Sequence, residues 1–158
     1  MVRPSYIKHV AVIVSDMDRS LDFYCNTLGF EVVEKVDLCT GEGVDKIVGL
    51  KDVALKIAHL KLPEGPTLVE LLEYIRPKGK PYGPDHRSND IGVGHFAMYV
   101  EEIEEFCNIL KSKGVKFISP GVVFSSTDEK CCYFYGPDGE IIEIIKPPKA
   151  PLKDLSKT

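Results

Sequence analysis

The chain has 158 residues, of which 44% are hydrophobic and 28% are charged, and its formal net charge is −4. This length suits one domain or two small modules, and the composition is that of a soluble globular protein. The negative charge gives no reason to expect nucleic acid or an anionic membrane as partner, and no apolar run approaches the roughly 20 residues that span a bilayer. The five cysteines lack CxxC spacing, which favours free thiols in a reducing cytoplasm over a disulfide framework or a cysteine metal site.

The first half of the chain predicts the order β-α-β-β-β. Residues 7–14 predict a strand, and Ser15 is the predicted N-cap of a helix that Gly29 ends. Residues 39–52 predict a loop, with a short helix around 44–50. Alternating apolar patterns and turn residues predict the remaining strands at 30–36, 53–62 and 67–75, and residues 63–66 turn the chain between the last two.

The second half repeats this order after a stretch rich in proline and glycine at 76–90, which we interpret as a linker. A strand is predicted at 91–100, followed by a helix that begins at 101 and ends at Gly114. Further strands are predicted at 115–119, 122–126, 131–135 and 140–146. The chain thus divides into a first module at 1–75, the linker at 76–90, a second module at 91–147 and a flexible tail at 148–158.

Each half carries one histidine in its first strand, among apolar neighbours. His9 precedes the helix-ending Gly29 by 20 positions, and His95 precedes Gly114 by 19 positions. A lone histidine on an apolar strand is usually a core residue with a local hydrogen-bond partner. Its recurrence at an equivalent position of a repeated module indicates a shared role instead.

Each half also carries a glutamate in the middle of its last strand, Glu70 and Glu143, between apolar residues. An unpaired buried carboxylate costs several kcal/mol or is forced into its neutral form. One divalent cation bound by His9, Glu70, His95 and Glu143 would compensate all four burials. Imidazole and carboxylate ligands suit zinc, nickel, cobalt, iron or manganese and leave positions for water or a substrate oxygen. The alternative is four independent polar residues, each paired locally.

Several short motifs match a known family. They are Lys8-His9-Val10-Ala11, Asp22-Phe23-Tyr24 through Leu28-Gly29-Phe30, Gly94-His95-Phe96-Ala97, and Tyr135-Gly136-Pro137-Asp138-Gly139 leading to Glu143. With the paired modules, they make residues 5 to about 147 resemble the vicinal oxygen chelate superfamily. That family includes glyoxalase I, methylmalonyl-CoA epimerase, the extradiol dioxygenases, and the fosfomycin and bleomycin resistance proteins.

The resemblance implies an α+β fold in which two tandem βαβββ modules form a curved mixed sheet around a metal-containing cavity. It implies a homodimer, and one divalent ion (zinc, nickel, cobalt or manganese) held by His9, Glu70, His95 and Glu143. The bleomycin-binding branch lacks the metal ligands. The extradiol dioxygenases lack a carboxylate at the position of Glu70. The complete set therefore most resembles glyoxalase I, also called lactoylglutathione lyase.

The resemblance implies a metal-dependent lyase or isomerase. Its catalytic base would be Glu143 or Glu70, moving a proton next to a carbonyl through a metal-stabilised enediolate. The substrate would be a hemithioacetal or an acyl-CoA thioester. Two alternatives are a methylmalonyl-CoA-type epimerase and a metal-bearing small-molecule binding or antibiotic resistance protein. The epimerases' separate carboxylate base has no match at 53–62, where the ionisable candidates are Lys56 and His59.

Three further groups of side chains allow a functional and an ordinary interpretation. His59 either faces a cavity or is a partly exposed strand residue. A basic group in the linker either binds an anionic substrate or is a solvated loop; its members are Arg76, Lys78, Lys80, His86 and Arg87. Tyr99 and Tyr133 are predicted to pack in the core.

Overall fold

The computed structural model describes residues 3–81, 86–124 and 129–146. The chain divides into two compact units, Met1–Asp85 (unit 1) and His86–Thr158 (unit 2). Part of the predicted linker, the end of the strand predicted at 122–126 and the predicted tail lie outside the described residues. Within the described ranges, no helix combines the length and the apolar character needed to cross a membrane.

Unit 1 is built on one four-stranded mixed sheet. Its strands are β1 (His9–Ile13), β2 (Glu31–Thr40), β3 (Ala54–Lys61) and β4 (Leu68–Arg76), in the order β1-β4-β3-β2. β1 runs parallel to β4, and the other neighbours are antiparallel. Helix α1 (Met17–Leu21) continues as a π-helical segment (Asp22–Thr27), and the short helix α2 (Glu42–Val48) lies between β2 and β3.

The first helix begins one residue later than the sequence predicts. Asp16, not Ser15, is the N-cap, and its side chain accepts a hydrogen bond from the Arg19 backbone N–H at 3.0 Å. The Ser15 hydroxyl instead accepts from the Arg19 guanidinium at 3.0 Å. Asp16 takes the capping position because its backbone is extended, which directs its carboxylate back toward the first turn.

Unit 2 repeats the architecture with shorter elements. Its strands are β5 (His95–Tyr99), β6 (Val123–Phe124), β7 (Lys130–Tyr135) and β8 (Ile141–Ile145), in the order β5-β8-β7-β6, and its helix is α3 (Ile103–Ser112). β5 is parallel to β8. The strand predicted at 115–119 is wrong. Here the Val115 N–H still bonds the helical carbonyl of Leu110. Phe117 forms an isolated bridge to Phe134, and residues 116–119 hydrogen-bond to β7 without a regular ladder.

Each sheet has one face covered by its own helix and one face that carries the predicted site. In β4, Val69 and Leu71 are buried on the helix side, whereas Leu68 and Glu70 alternate with them on the other face. In unit 2 the buried stripe of α3 packs the corresponding face; its residues are Ile103, Cys107 and Leu110. The histidines and glutamates singled out by the sequence therefore lie opposite the helices.

The predicted fold class is confirmed: the chain is an α+β protein built of two modules with the βαβββ order and mixed sheets. The expectation that the two sheets enclose one metal-containing cavity concerns the placement of the units and stays a prediction. The module boundaries at 75, 90 and 147 also stay predictions.

Candidate metal centre

In unit 1, the predicted histidine and glutamate come from neighbouring parallel strands. Ala11 of β1 is paired with Glu70 of β4, and His9 precedes Ala11 by two residues on the same face. Strands lie about 4.8 Å apart, so side chains on this diagonal can meet. His9 Nε2 lies 3.5 Å from Glu70 Oε2.

Unit 2 uses the same register for its own pair. Ala97 of β5 is paired with Glu143 of β8, and His95 again precedes the paired residue by two positions. His95 Nε2 lies 3.1 Å from Glu143 Oε2, and the Glu143 side chain is 12% exposed. The structure thus brings the predicted residues together as one histidine–glutamate pair within each unit.

A second histidine joins the pair of unit 1. His59 of β3 is opposite Glu70 in the antiparallel ladder, and its Nε2 lies 2.9 Å from Glu70 Oε1. Its Nδ1 lies 3.2 Å from Glu34 Oε2 on β2. Donor atoms of His9, His59 and Glu70 all lie within 4.8 Å of one another, close enough to share a metal ion.

Two nitrogens of this cluster are buried without a hydrogen bond. Among the described residues, neither His9 Nδ1 nor His59 Nε2 has a hydrogen-bond partner. The approach of His59 Nε2 to Glu70 is short, but it lacks the alignment of a hydrogen bond. Buried polar atoms are nearly always satisfied. A cation in the cluster would account for His59 Nε2, which faces Glu70, but not for His9 Nδ1, because His9 faces Glu70 with its other nitrogen. The donor set, imidazole and carboxylate, fits a divalent transition metal.

Unit 2 has a tyrosine where unit 1 has His59. Tyr133 of β7 is opposite Glu143, and its hydroxyl lies 3.2 Å from His95 Nε2. Burial, together with the neighbouring Glu143 carboxylate, raises the pKa of Tyr133. The prediction that Tyr133 and Tyr99 pack in the core is wrong, because both lie on the face of the sheet opposite α3, and Tyr99 is 51% exposed.

The position of His59 opposite Glu70 could have been predicted by counting residues from the turn between their strands. Antiparallel partners are equidistant from the turn that joins their strands. The predicted turn at 63–66 is centred between Glu64 and Gly65, which sets His59 opposite Glu70. Sequence periodicity places His59 on a face of its strand, but only the register shows that this face is shared with Glu70.

Lys56, the other ionisable candidate in the third strand, lies on the opposite face of the sheet. It is paired with Glu73, and its Nζ lies 2.9 Å from Glu73 Oε2. The same oxygen accepts a hydrogen bond at 2.9 Å from the backbone N–H of Met17, the first residue of α1. Lys56 therefore anchors the helix and is not a candidate base beside Glu70.

Members of the basic group in the linker have local partners. Arg76 Nε lies 3.2 Å from Asp52 Oδ2, and Arg87 contacts Asp90. His86 Nε2 lies 2.8 Å from the carbonyl oxygen of Gly139, in the turn before β8. These contacts favour the interpretation of a local structural role for Arg76, His86 and Arg87 over a preformed anion site.

Comparison with known proteins agrees with this geometry. Residues 6–144 match the model of the Glyoxalase/Bleomycin resistance protein/Dioxygenase superfamily. A probable lactoylglutathione lyase from Synechocystis is 30% identical over 142 residues, which cover 89% of this chain and 95% of the relative. A 2-epi-5-epi-valiolone epimerase from Actinomyces is 28% identical, with 90% of this chain and 79% of the relative covered.

Solved structures show the same fold. A glyoxalase family protein from Bacillus cereus superimposes with a TM-score of 0.81 at 22% identity, covering 92% of this chain and 97% of that one. This likeness concerns the fold, whereas the family match spans nearly the whole sequence, including both histidine–glutamate pairs. The chain belongs to the glyoxalase/bleomycin resistance protein/dioxygenase superfamily.

Proposed function

We propose that the protein is a metal-dependent lyase or isomerase of the glyoxalase I type, which moves a proton on carbon next to a carbonyl group. The observation that carries the proposal is the matched register of the two pairs: in each sheet, the glutamate is opposite the residue two positions after the histidine. The relatives named as a lactoylglutathione lyase and an epimerase support this class of chemistry.

The proposed cofactor is one divalent ion, zinc, nickel, cobalt or manganese, with His9, Glu70, His95 and Glu143 as ligands. The unsatisfied buried nitrogen His59 Nε2, which faces Glu70, supports a cation in unit 1. When bound, the ion supplies Lewis-acid polarisation of the substrate carbonyl, which acidifies the neighbouring C–H bond.

Glu143 is the proposed catalytic base. Its side chain is 12% exposed, and its Oε2 lies 3.1 Å from His95 Nε2 on the face of the sheet opposite α3. In a lyase or isomerase, this carboxylate removes the proton from one carbon and returns it to the neighbouring carbon. In an epimerase, Glu70 would deliver a proton to the opposite face of the same carbon.

The proposed substrate is a hemithioacetal, with an acyl-CoA thioester as the second candidate. The relative named as an epimerase, 28% identical, supports epimerisation as the alternative reaction and does not distinguish the two substrates. The proposal includes a homodimer and a cytoplasmic location, where the five free thiols would stay reduced.

The test is turnover by the full chain after loading with each of the four metals. Thioester formation from hemithioacetals and deuterium uptake beside the carbonyl of branched acyl-CoAs would be measured. We expect one substrate class to react, and Glu143→Gln to lower kcat by about 10²- to 10⁴-fold. Glu101→Gln, at an exposed glutamate outside the sheet, is the matched control and should keep wild-type turnover.

A binding or resistance function is the competing outcome of this experiment. A metal-loaded protein that turns over neither substrate class, yet binds a small molecule equally well with and without Glu143→Gln, would contradict the enzyme proposal. Proton exchange that survives Glu143→Gln unchanged would contradict the assignment of the base.

A further inference from the structure

His59, the third possible donor residue in unit 1, is not one of the four predicted metal ligands. His59 is held in the strand between β2 and β4, and its side chain is 12% exposed. Its two ring nitrogens face two different carboxylates, Nε2 toward Glu70 and Nδ1 toward Glu34. The ring is therefore held between the two carboxylates, with Nε2 directed at the Glu70 carboxylate that also faces His9.

The distances within the cluster are compatible with coordination of one ion. Glu70 presents one oxygen to each ring: Oε2 is 3.5 Å from His9 Nε2, and Oε1 is 2.9 Å from His59 Nε2. Ligands about 2.1 Å from a metal are separated by roughly 3 to 3.5 Å at adjacent positions. The rings of His9 and His59 are 5.8 Å apart between centroids and inclined by 38°, so they do not stack face to face.

The contact between His59 and Glu34 has the geometry expected of a metal-bound imidazole. A ligating histidine usually donates its second ring N–H to a carboxylate, which fixes the tautomer and leaves the other nitrogen free for the metal. His59 Nδ1 lies 3.2 Å from Glu34 Oε2, while His59 Nε2 is buried and lacks a hydrogen bond among the described residues. The free nitrogen thus points into the cluster.

Unit 2 offers a natural comparison. There Tyr133 takes the register position of His59 beside the glutamate. Its hydroxyl is 3.2 Å from His95 Nε2, so unit 2 contributes one imidazole and unit 1 contributes two. Because imidazole is a good ligand for transition metals, we expect unit 1 to bind such an ion more tightly than unit 2.

We propose that His59 Nε2 is a further metal ligand, so that unit 1 supplies three donors, His9, His59 and Glu70, to the divalent cation, with Glu34 orienting His59. This inference deepens the proposed function, on which it rests. Three donors from one unit would keep the ion in place when Glu143 leaves it, and Glu143 would then be available to carry the proton.

The direct test is a long-range proton–nitrogen NMR spectrum of the full chain labelled with ¹⁵N-histidine, recorded with and without zinc. The chain has four histidines, and single His→Gln variants assign them. We expect His9 and His59 to change from protonated or tautomeric signals to metal-bound signals, while His86 stays unchanged. This measurement on the wild-type protein holds even if a variant fails to fold.

Metal affinity gives the second measurement, by competition with a coloured chelator for zinc and cobalt. His59→Gln should weaken binding on the order of 100-fold or more, and Glu34→Gln by about 10- to 100-fold. His86→Gln is the matched control: this histidine meets a backbone carbonyl, and its loss should leave the affinity unchanged. Glu143→Gln should weaken binding less than His59→Gln does.

The outcomes separate the two claims. A His59 ring that stays uncoordinated while His9 binds zinc overturns the inference about His59 but leaves the metal-dependent function standing. If none of the four metals changes any histidine signal, both the inference about His59 and the proposed metal-dependent function are overturned. Equal affinities for wild type and His59→Gln would also overturn the inference.

Discussion

The two units carry the same pair of side chains in the same register and differ in what lies beside it. In unit 1, Glu34, His59 and Glu70 lie opposite one another across the sheet, and His9 lies on the diagonal from Glu70. In unit 2, the corresponding residues are Tyr133, Glu143 and His95. The repeat thus preserves the backbone geometry of the histidine–glutamate pair. The neighbouring strand, β3 or β7, determines whether a histidine or a tyrosine lies beside the glutamate.

The difference indicates a division of labour. A second imidazole in unit 1 adds a ligand that a metal prefers, while the tyrosine of unit 2 is a hydrogen-bonding group beside the glutamate. On this proposal, unit 1 would retain the ion, and unit 2 would supply the carboxylate that carries the proton. Five predictions test this and other differences between the units, in order of expected effect.

The largest effects, on kcat and on metal content, should come from replacing each of the two glutamates in turn. Glu143→Gln should lower kcat about 10²- to 10⁴-fold while the ion is retained, because the base is lost but the ligands of unit 1 remain. Glu70→Gln should instead lower metal content, since Glu70 contacts both histidines of unit 1. Metal analysis and steady-state kinetics on the same preparations distinguish the two. Equal metal loss in both variants would contradict the division of labour.

The helices of the two units should differ in how their first turns are stabilised. Burial opposes ionisation of Glu73, but hydrogen bonds from Lys56 and from the Met17 N–H outweigh it and lower the pKa of Glu73. At the start of α3, Glu102 makes no side-chain capping bond. Glu73→Gln should therefore reduce the free energy of unfolding by about 1–3 kcal/mol, and Glu102→Gln by less than about 0.5 kcal/mol.

The Glu73 contribution should depend on pH in a defined direction. A carboxyl group whose pKa is lower in the folded state stabilises the fold above its unfolded pKa. The contribution should be fully present above the ordinary value of 4.5 and be lost as pH falls through the folded value. Denaturant unfolding of wild type and Glu73→Gln between neutral and acidic pH measures it. A difference that grows on acidification would contradict the assignment.

The hydroxyl of Tyr133 should have a smaller, local effect. Tyr133→Phe removes a group 3.2 Å from His95 Nε2, so we expect kcat/KM to fall by about tenfold at most, the value of one neutral hydrogen bond. Metal affinity should stay within about twofold of wild type, because the ligands of unit 1 are untouched. Tyr99→Phe, at an exposed tyrosine of β5, is the control. A complete loss of metal in Tyr133→Phe would assign the tyrosine a ligand role instead.

The smallest effect concerns thiol reactivity, which should differ between the units. Burial raises the pKa of Cys107, and it raises the pKa of Cys132 to about 12, whereas Cys39 of unit 1 is only partly buried. At neutral pH the native chain should react with a maleimide at Cys39 before Cys107 or Cys132. Mass spectrometry of the labelled peptides gives the order, with Cys39→Ser as control. Early labelling of Cys132 would contradict the packing of α3 on its sheet.

The sequence predicts the fold and the two pairs because both follow from periodicity and repetition. Apolar alternation gives the strands, and the recurrence of His9 and Glu70 as His95 and Glu143 identifies the pairs. The strand predicted at 115–119 fails because β-branched and aromatic residues also suit an irregular segment that follows a helix. Short apolar runs do not distinguish these cases.

The neighbours of the pairs are harder to predict because they depend on pairing across strands. His59 and Tyr133 have the same relation to the two glutamates, but one is a histidine and the other a tyrosine, so repetition does not connect them. Lys56 and His59 belong to one strand, and only the register assigns them to opposite faces. Strand pairing, not residue type, decides which of them can meet Glu70.

The most direct test of the account is the divalent metal content of the full chain after incubation with zinc, nickel, cobalt and manganese and removal of excess ion. We expect about one tightly held ion per chain for at least one of these metals, since both histidine–glutamate pairs would serve a single centre. A chain that stays free of all four metals would contradict the enzyme proposal. Two ions held with equal affinity would contradict the single shared centre.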